Sequence, residues 1–563
     1  MLIEQARTND TIQQLHERRD AGRAPILGHL VSLNGMHGLI ASEVSSDGAG
    51  EYWSVGHLIT VVHEKTRLVG VVCELTAADN LWREAESNIA HVKIELTGAI
   101  VDDEQGKPRF FRGIQSYPRL GAVAHRIRAS DLAAIYAFSG TEGIEIGRLS
   151  QDASIPAVVS VRELVSRHFA VIGSTGVGKT TAVSMLIQKC LANREKLRVL
   201  IVDPHNEYSS HFPDTSVVYD CDNLELPFWM FKFEEMVDIV YAGRTASATE
   251  IDAFFDLIKS AKARFATAQP AVGALGAIRR PVGPESTNNI SADTPLPYRM
   301  ADAIKIIDEW MGKLDQRYPV TELRALKNRL ETLARDPRFR FMFGKALVED
   351  SMARVVSRIF RIPMDGKPVT IVQLAGLPNE VVNSVVSVLA RLAFDIALWS
   401  GGGYEIAVVC EEAHRYIPND RSLGFGPTRQ AIGRIAKEGR KYGVSLGVVS
   451  QRPSELDSTV LSQCSTMFAM RLPNEADKAI IRSALAESSA SIVSFLSSIA
   501  DREAIAFGEA IPTPMRMKFA NSEKRASTET AEAPPPPAMN NGGDVLRLIG
   551  RLRSEFGGER EPA

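Results

Sequence analysis

Between Pro25 and about Ile114, apolar residues come in short runs separated by turn signals: Ile26–Leu33, Gly38–Val44, Val55–His63, Leu68–Leu75 and Val92–Leu96. In the last run Val92, Ile94 and Leu96 alternate with Lys93 and Glu95, the period of a strand with one buried and one wet face. Asn34-Gly35 and Asp47-Gly48 are turn dipeptides between such runs. This texture predicts a small all-β barrel of five or six strands over residues 25–115. Residues 1–24 before it are polar and helix-prone, an arm or surface helix, and residues 116–155 read as a connector.

Downstream the pattern changes to apolar strand-like runs alternating with helical spacing. Phe169–Ile172 is followed by a helical stripe (Ala182, Val183, Met185, Leu186, Ile187), and then by Arg198–Val202 ending at Asp203. The alternation resumes at Val369–Leu374, a helix over Glu380–Trp399, Ile406–Cys410 and Ser445–Val449. Alternation of this kind predicts an α/β domain with a mostly parallel sheet, over 156–233 and 351–520. Between its halves, residues 234–350 carry two helical stripes: Ile251, Phe254, Phe255, Leu257 and Ile258, then Ile304, Ile307, Trp310, Met311 and Leu314. They predict a helical insertion, interrupted by a Pro/Gly/Ser/Asn-rich loop at about Ala268–Leu296. Residues 521–563 read as a flexible, proline-containing tail that ends in an amphipathic stripe (Val545, Leu548, Ile549, Leu552, Phe556). That stripe suits either a tethered docking peptide or a helix folded back on its own domain.

Composition narrows the setting. At 563 residues the chain exceeds the ~250–300 at which a single core stops growing. No segment approaches ~20 uninterrupted apolar residues, so no membrane span is expected. Five scattered cysteines without a CxxC pair suit reduced thiols in a cytoplasmic protein rather than a disulfide or zinc framework. A net charge of −3 means that any nucleic-acid surface must be local.

The chemistry centres on residues 173–180, Gly-Ser-Thr-Gly-Val-Gly-Lys-Thr, a complete GxxxxGK[ST] phosphate loop between a strand and a helix. Backbone N–H groups of Gly173, Ser174, Thr175, Gly176, Val177, Gly178, Lys179, Thr180 and Thr181 would cradle ATP phosphates, helped by the helix N-terminus. Lys179 would reach the β/γ-phosphates, and Thr180 would ligate Mg²⁺. Hydrolysis needs acids at the end of another strand, and Ile406–Cys410 runs into Glu411-Glu412. Glu411 would hold the Mg²⁺ shell, and Glu412 would polarise the attacking water. Gln451, after the strand Ser445–Val449, would sense the γ-phosphate or hold that water. Asp203-Pro204-His205-Asn206-Glu207-Tyr208 closes another strand on the same rim. The segment His414–Lys441 is basic, with Arg415, Arg421, Arg429, Arg434, Lys437, Arg440 and Lys441, and suits charge stabilisation or DNA contact as well as a solvated face.

In this order the pieces resemble the HerA family of the HerA/FtsK hexameric DNA translocases. The resemblance is carried by Arg167-His168-Phe169-Ala170, Gly173–Thr180, Asp203–Tyr208, Glu411-Glu412-Ala413-His414, Gly439-Arg440-Lys441-Tyr442-Gly443 and Ser450–Leu456. Two departures stand out: Glu411 replaces the usual Asp, and Asn206 stands where Gly is common. The resemblance implies a RecA-like P-loop core with an N-terminal barrel of ATP-synthase type. It also implies a homohexamer around double-stranded DNA with ATP and Mg²⁺ at subunit interfaces. Arg167 matches the trans-acting arginine and Arg440 the sensor arginine. A nuclease, or an effector in anti-phage defence, would dock on the barrel. The function expected is thus an ATP-dependent DNA translocase or helicase. The alternatives are a defence ATPase that scaffolds an effector and a type IV secretion ATPase; the barrel and the lack of spans count against the latter.

Overall fold

The computed structural model describes residues 26–44, 53–78, 87–137, 142–241, 244–268, 290–313, 317–344, 350–420, 423–484, 493, 495–520 and 542–557. The expected N-terminal arm, the Asp47-Gly48 turn, Leu314 and Arg421 lie outside them. The chain forms two units: residues up to Ser160 together with Met467–Ala520, and Val161–Thr466 together with the tail from Asn521. It therefore passes between them three times, after Ser160, after Thr466 and after Ala520.

The first unit begins with β1 (Ile26–Asn34), β2 (His37–Val44), β3 (Leu58–His63), β4 (Thr66–Ala77), β5 (Asn88–Asp102), β6 (Pro108–Arg112) and β7 (Val123–Arg126). Pairing runs β2-β1-β7-β3-β4-β5 and closes from β5 back to β2, a ring of antiparallel strands with β6 added on β5. Closure leaves no unpaired edge among the six ring strands. The Asn34-Gly35 turn links β1 and β2, with Gly35 at φ 57. The barrel is thus as expected, although β7, which closes it, comes from the stretch read as connector. Apolar positions that alternate along the strands, including Leu30, Ile40, Val61, Leu68, Val92 and Ile94, fill the interior. The rest of this unit is an antiparallel arrangement of β8 (Gly143–Leu149), β9 (Pro156–Ser160), β16 (Glu503–Gly508) and β17 (Met515–Phe519), ordered β16-β17-β8-β9.

The second unit holds β10 (His168–Ile172), β11 (Leu197–Asp203), β12 (Ser216–Tyr219), β13 (Val369–Gln373), β14 (Glu405–Cys410) and β15 (Val444–Ser450), all parallel in the order β12-β13-β11-β14-β15-β10. Every residue of β10, β11 and β15 is buried, as happens when helices cover both faces of a parallel sheet. Chain order and spatial order diverge between β10 and β11, since β14 and β15 intervene. Crevices at the carboxyl ends of strands at such points are where α/β sheets bind ligands. The α/β core and parallel sheet are as expected. Helices Phe233–Tyr241, Ala248–Ala268, Met300–Met311 and Val320–Arg335 form the expected insertion, with Phe254, Leu257, Ile258 and Ile307 buried.

Two helices bear on expectations from the sequence. The helix Asn379–Ser400 is long and apolar enough to cross a membrane (mean hydropathy 1.8), but its apolar window is 78% buried inside the protein. The tail helix Gly542–Gly557 is not a free docking peptide: it packs on the helices Met352–Phe360 and Asn379–Ser400 of its own unit. Val545, Leu548, Ile549 and Leu552 are buried there, and Arg553 grips Asp350 through two 2.7 Å bonds. The Phe556 side chain lies outside the described residues.

One ion network braces the barrel. Arg67 on β4 donates to Asp102 at 2.7 and 2.6 Å and to Asp131, on the helix Ala129–Ile135, at 3.1 and 2.9 Å. The Asp131 side chain is only 1% exposed. Arg67→Ala strands that carboxylate without its partner, which typically costs about 3–5 kcal/mol. The barrel's denaturation midpoint should fall accordingly, and Arg67→Ala/Asp131→Asn should recover most of the loss. Equal loss in the single and double variants would refute the pairing argument.

Candidate nucleotide site

The phosphate loop leaves the end of β10 and enters the helix Lys179–Asn193. Gly176 and Gly178 adopt φ 81 and 98, left-handed values that side chains resist, so these two positions demand glycine. The Gly173 amide donates to the Ser450 carbonyl at 3.2 Å, fixing the loop to the end of β15. Lys179 is buried, and its ammonium donates to the Ser174 carbonyl at 3.1 Å. Thr175 Oγ1 donates to Gln451 Oε1, so Gln451 is aimed at the loop from the next strand.

Two acid-bearing strand ends, those of β11 and β14, meet here. The Asp203 carboxylate, fully buried, accepts from the backbone amides of His205 (3.3 Å), Glu207 (3.2 Å) and Tyr208 (3.0 Å). It thereby winds Asp203–Tyr208 into a tight turn with Asn206 at φ 59. That torsion explains the departure from glycine noted above, because Asn tolerates the left-handed region better than other residues. The turn directs Glu207 to Thr180, whose Oγ1 donates to Glu207 Oε2 at 2.6 Å. It directs Tyr208 to Glu411, whose Oε2 accepts from the Tyr208 hydroxyl. Burial pushes the Glu411 carboxyl up to about 7 despite that bond, and lifts the Tyr208 phenol well above its usual value.

Glu412 follows β14 at φ 51, a strained torsion for glutamate. His414 Nδ1 lies 3.2 Å from both Glu412 Oε2 and Ser450 Oγ. Only the Ser450 contact has hydrogen-bond geometry, so Glu412 Oε2 is buried with no hydrogen-bond partner among the described residues. Burial depresses the His414 imidazole. A buried carboxylate oxygen without a donor, next to a phosphate loop, is shaped to take a proton or hydrogen bond from water. The donors fit magnesium as well: this ion keeps most of its waters and takes only one or two carboxylates beside phosphate oxygens. Thr180 and Glu411 are groups that could serve such an ion. Among the described residues no cluster of three or more His, Cys, Asp or Glu could cage a metal on its own.

Arg167 and Arg440 are elsewhere. Arg167 immediately precedes β10, and Arg440 sits in the last turn of the helix Gly426–Tyr442, just before β15. Both strands start on that edge, and the phosphate loop is at their other end. Five strand residues at ~3.3 Å each put Arg167 roughly 17 Å from its own loop. The Arg167 guanidinium pairs with Glu163 at 2.7 Å. Buried His168 fixes this edge: its Nδ1 accepts the Leu446 amide at 2.9 Å, which leaves Nε2 to donate to the Ala436 carbonyl at 2.9 Å. Much of the basic segment serves the fold. Arg429 donates to the carbonyls of Pro418, Asp420 and Leu423, and Arg434 lies 4.0 Å over the Phe394 ring and 3.6 Å from Asp395. Arg440, Lys437 and Lys441 are exposed.

Residues 144–393 match the family model described as the central domain of helicase HerA. A DNA double-strand break repair helicase HerA from Pyrococcus furiosus is 28% identical over 72% of this chain and 74% of its own length. The chain is similar to HerA-family helicases over most of its length. A probable helicase of Methanocaldococcus jannaschii is 24% identical over 85% of this chain and 89% of its own length. Among solved structures, VirB4 of Thermoanaerobacter pseudethanolicus aligns with a TM-score of 0.47 at 16% identity, covering 69% of this chain and 98% of VirB4. The plasmid coupling protein TrwB in complex with ADP and Mg²⁺ aligns at 0.44 with 14% identity, over 71% and 95%. The chain is an ATP-hydrolysing enzyme.

Sequence reading named the loop, Glu411, Glu412 and Gln451, and these converge. It gave Glu207 and Tyr208 no separate role, although their place in the Asp203–Tyr208 motif at a strand end was the available signal. The turn's torsion gives a direct check. Asn206→Gly should leave the unfolding midpoint near wild type, whereas Asn206→Val should cost about 1–2 kcal/mol and slow ATP turnover. Equal behaviour of the two variants would show that the torsion is unimportant.

Proposed function

We propose that the protein is an ATP-driven double-stranded DNA translocase or helicase motor that works as a homohexameric ring with ATP at subunit interfaces. The observation carrying this reading is the separation of Arg167 and Arg440 from the phosphate loop of their own chain. An arginine ~17 Å away cannot touch its own nucleotide, but it can complete the site of a neighbouring subunit. The HerA-family relatives named as DNA double-strand break repair helicases support DNA as the track.

In this reading Lys179 leaves the Ser174 carbonyl to bind the β/γ-phosphates, and Gln451 leaves Thr175 to face the γ-phosphate. Glu412 Oε2 orients the attacking water and draws off its proton. Thr180 and Glu411 would hold the Mg²⁺ shell, and the ion would supply positive charge against the charge that develops on the phosphates. Arg167 from the neighbour stabilises the transferred phosphoryl group, a contribution typically worth ~10³–10⁵ in rate.

The tests use ATPase rates with duplex DNA. Lys179→Ala should weaken nucleotide binding, and Glu412→Gln should bind ATP without hydrolysing it. Arg167→Ala should also bind ATP and lose turnover. Mixed rings of Arg167→Ala and Lys179→Ala should regain activity, because some composite sites carry both residues; no recovery in well-exchanged rings would refute the trans assignment. DNA binding should weaken steeply with salt and show little sequence preference, as for phosphate contacts. A preference for one short sequence would refute the translocase reading.

The closed barrel carries no nucleotide motif, and we assign it the docking of a nuclease or defence effector. In a ring, repeated barrels would offer a multivalent platform. Deleting residues 1–115 should abolish co-purification with such a partner encoded beside this protein. Undiminished capture would move the docking site to the ATPase unit.

A further inference from the structure

The turn after β11 places two side chains on two different parts of the nucleotide site. Glu207 is exposed, and its carboxylate accepts the Thr180 hydroxyl at 2.6 Å. The next residue, Tyr208, is fully buried and donates to Glu411. Glu411 itself is only 3% exposed. The two acids therefore differ in what they can do for a hydrated cation. A carboxylate at the surface accepts hydrogen bonds from metal-bound waters with little desolvation, whereas one buried under a phenol has an oxygen already occupied.

Resting on the ATPase reading above, we propose that Glu207 is a further carboxylate of the magnesium shell. It presents Thr180 Oγ1 to the ion and accepts a hydrogen bond from an ion-bound water. Tyr208 is a positioning residue that holds Glu411 behind the ion. The Asp203 carboxylate sets both, because its bonds to the Glu207 and Tyr208 amides at 3.2 and 3.0 Å fix the turn from which the two side chains diverge. One two-residue step thus ties the end of β11 to the phosphate loop on one side and to the end of β14 on the other.

Binding of a fluorescent ADP to the full-length protein, measured with Mg²⁺ and again with EDTA, tests the assignment without relying on turnover. Wild type should bind more tightly with Mg²⁺. Glu207→Gln keeps an amide oxygen for Thr180 but loses the charge. It should match wild type in EDTA and lose about tenfold or more of the Mg²⁺ gain, the scale typical of groups that orient metal ligands. Glu207→Asp, which keeps the charge, should restore part of that gain, which a merely structural role would not do. Melting curves of both variants without nucleotide should overlay wild type. A full Mg²⁺ gain in Glu207→Gln overturns the proposal, as does complete loss of the gain in Glu411→Gln alone. If wild type itself binds no ADP, the ATPase reading fails, and the assignment built on it fails too.

Discussion

Parallel strands impose a polarity on everything attached to them. In the second unit β10, β11, β14 and β15 run the same way, so the residues that end them share one edge and the residues that begin them share the other. Gly173, Asp203, Glu411 and Gln451 are therefore neighbours although the sequence spreads them over hundreds of positions. The same polarity exiles Arg167 and Arg440, which precede their strands. A sheet built this way offers a phosphate cradle and carboxylates on one rim and cations on the opposite rim. One copy cannot bring its own two rims together.

The acids on the catalytic rim are differentiated by environment rather than by type. Asp203 spends its charge on three backbone amides. Glu411 is buried under a phenol, Glu412 buries one oxygen with no donor among the described residues, and Glu207 faces solvent. Four carboxylates so close together would repel if all were equally exposed and equally charged. Burial, backbone amides and a hydroxyl bond give each a different ground state, so that one rim folds a turn, holds a hydroxyl and keeps one buried carboxylate oxygen without a donor among the described residues.

Much of this was legible in the sequence, for identifiable reasons. The phosphate loop depends on glycines whose torsions no other residue replaces, so its spelling is its structure. Buried parallel strands read as unbroken apolar runs, and the barrel strands carry period-two alternation. What escaped was pairing at a distance. Val123–Arg126 is a short strand with no alternation of its own, and its place in the ring comes from β1 and β3. The roles of Glu207 and Tyr208 depend on the sign of one torsion, at Asn206, which residue type alone does not fix. The tail stripe read equally well as a free ligand or a packed helix, and the choice lay with surfaces presented by Met352–Phe360 and Asn379–Ser400.

The chain's route through its two units bears on how they come apart. Two units joined by one peptide segment are separated by a single cut there. Here the path crosses after Ser160, after Thr466 and after Ala520. A cut at any one crossing leaves the other two covalent connections intact, so one proteolytic nick releases neither unit.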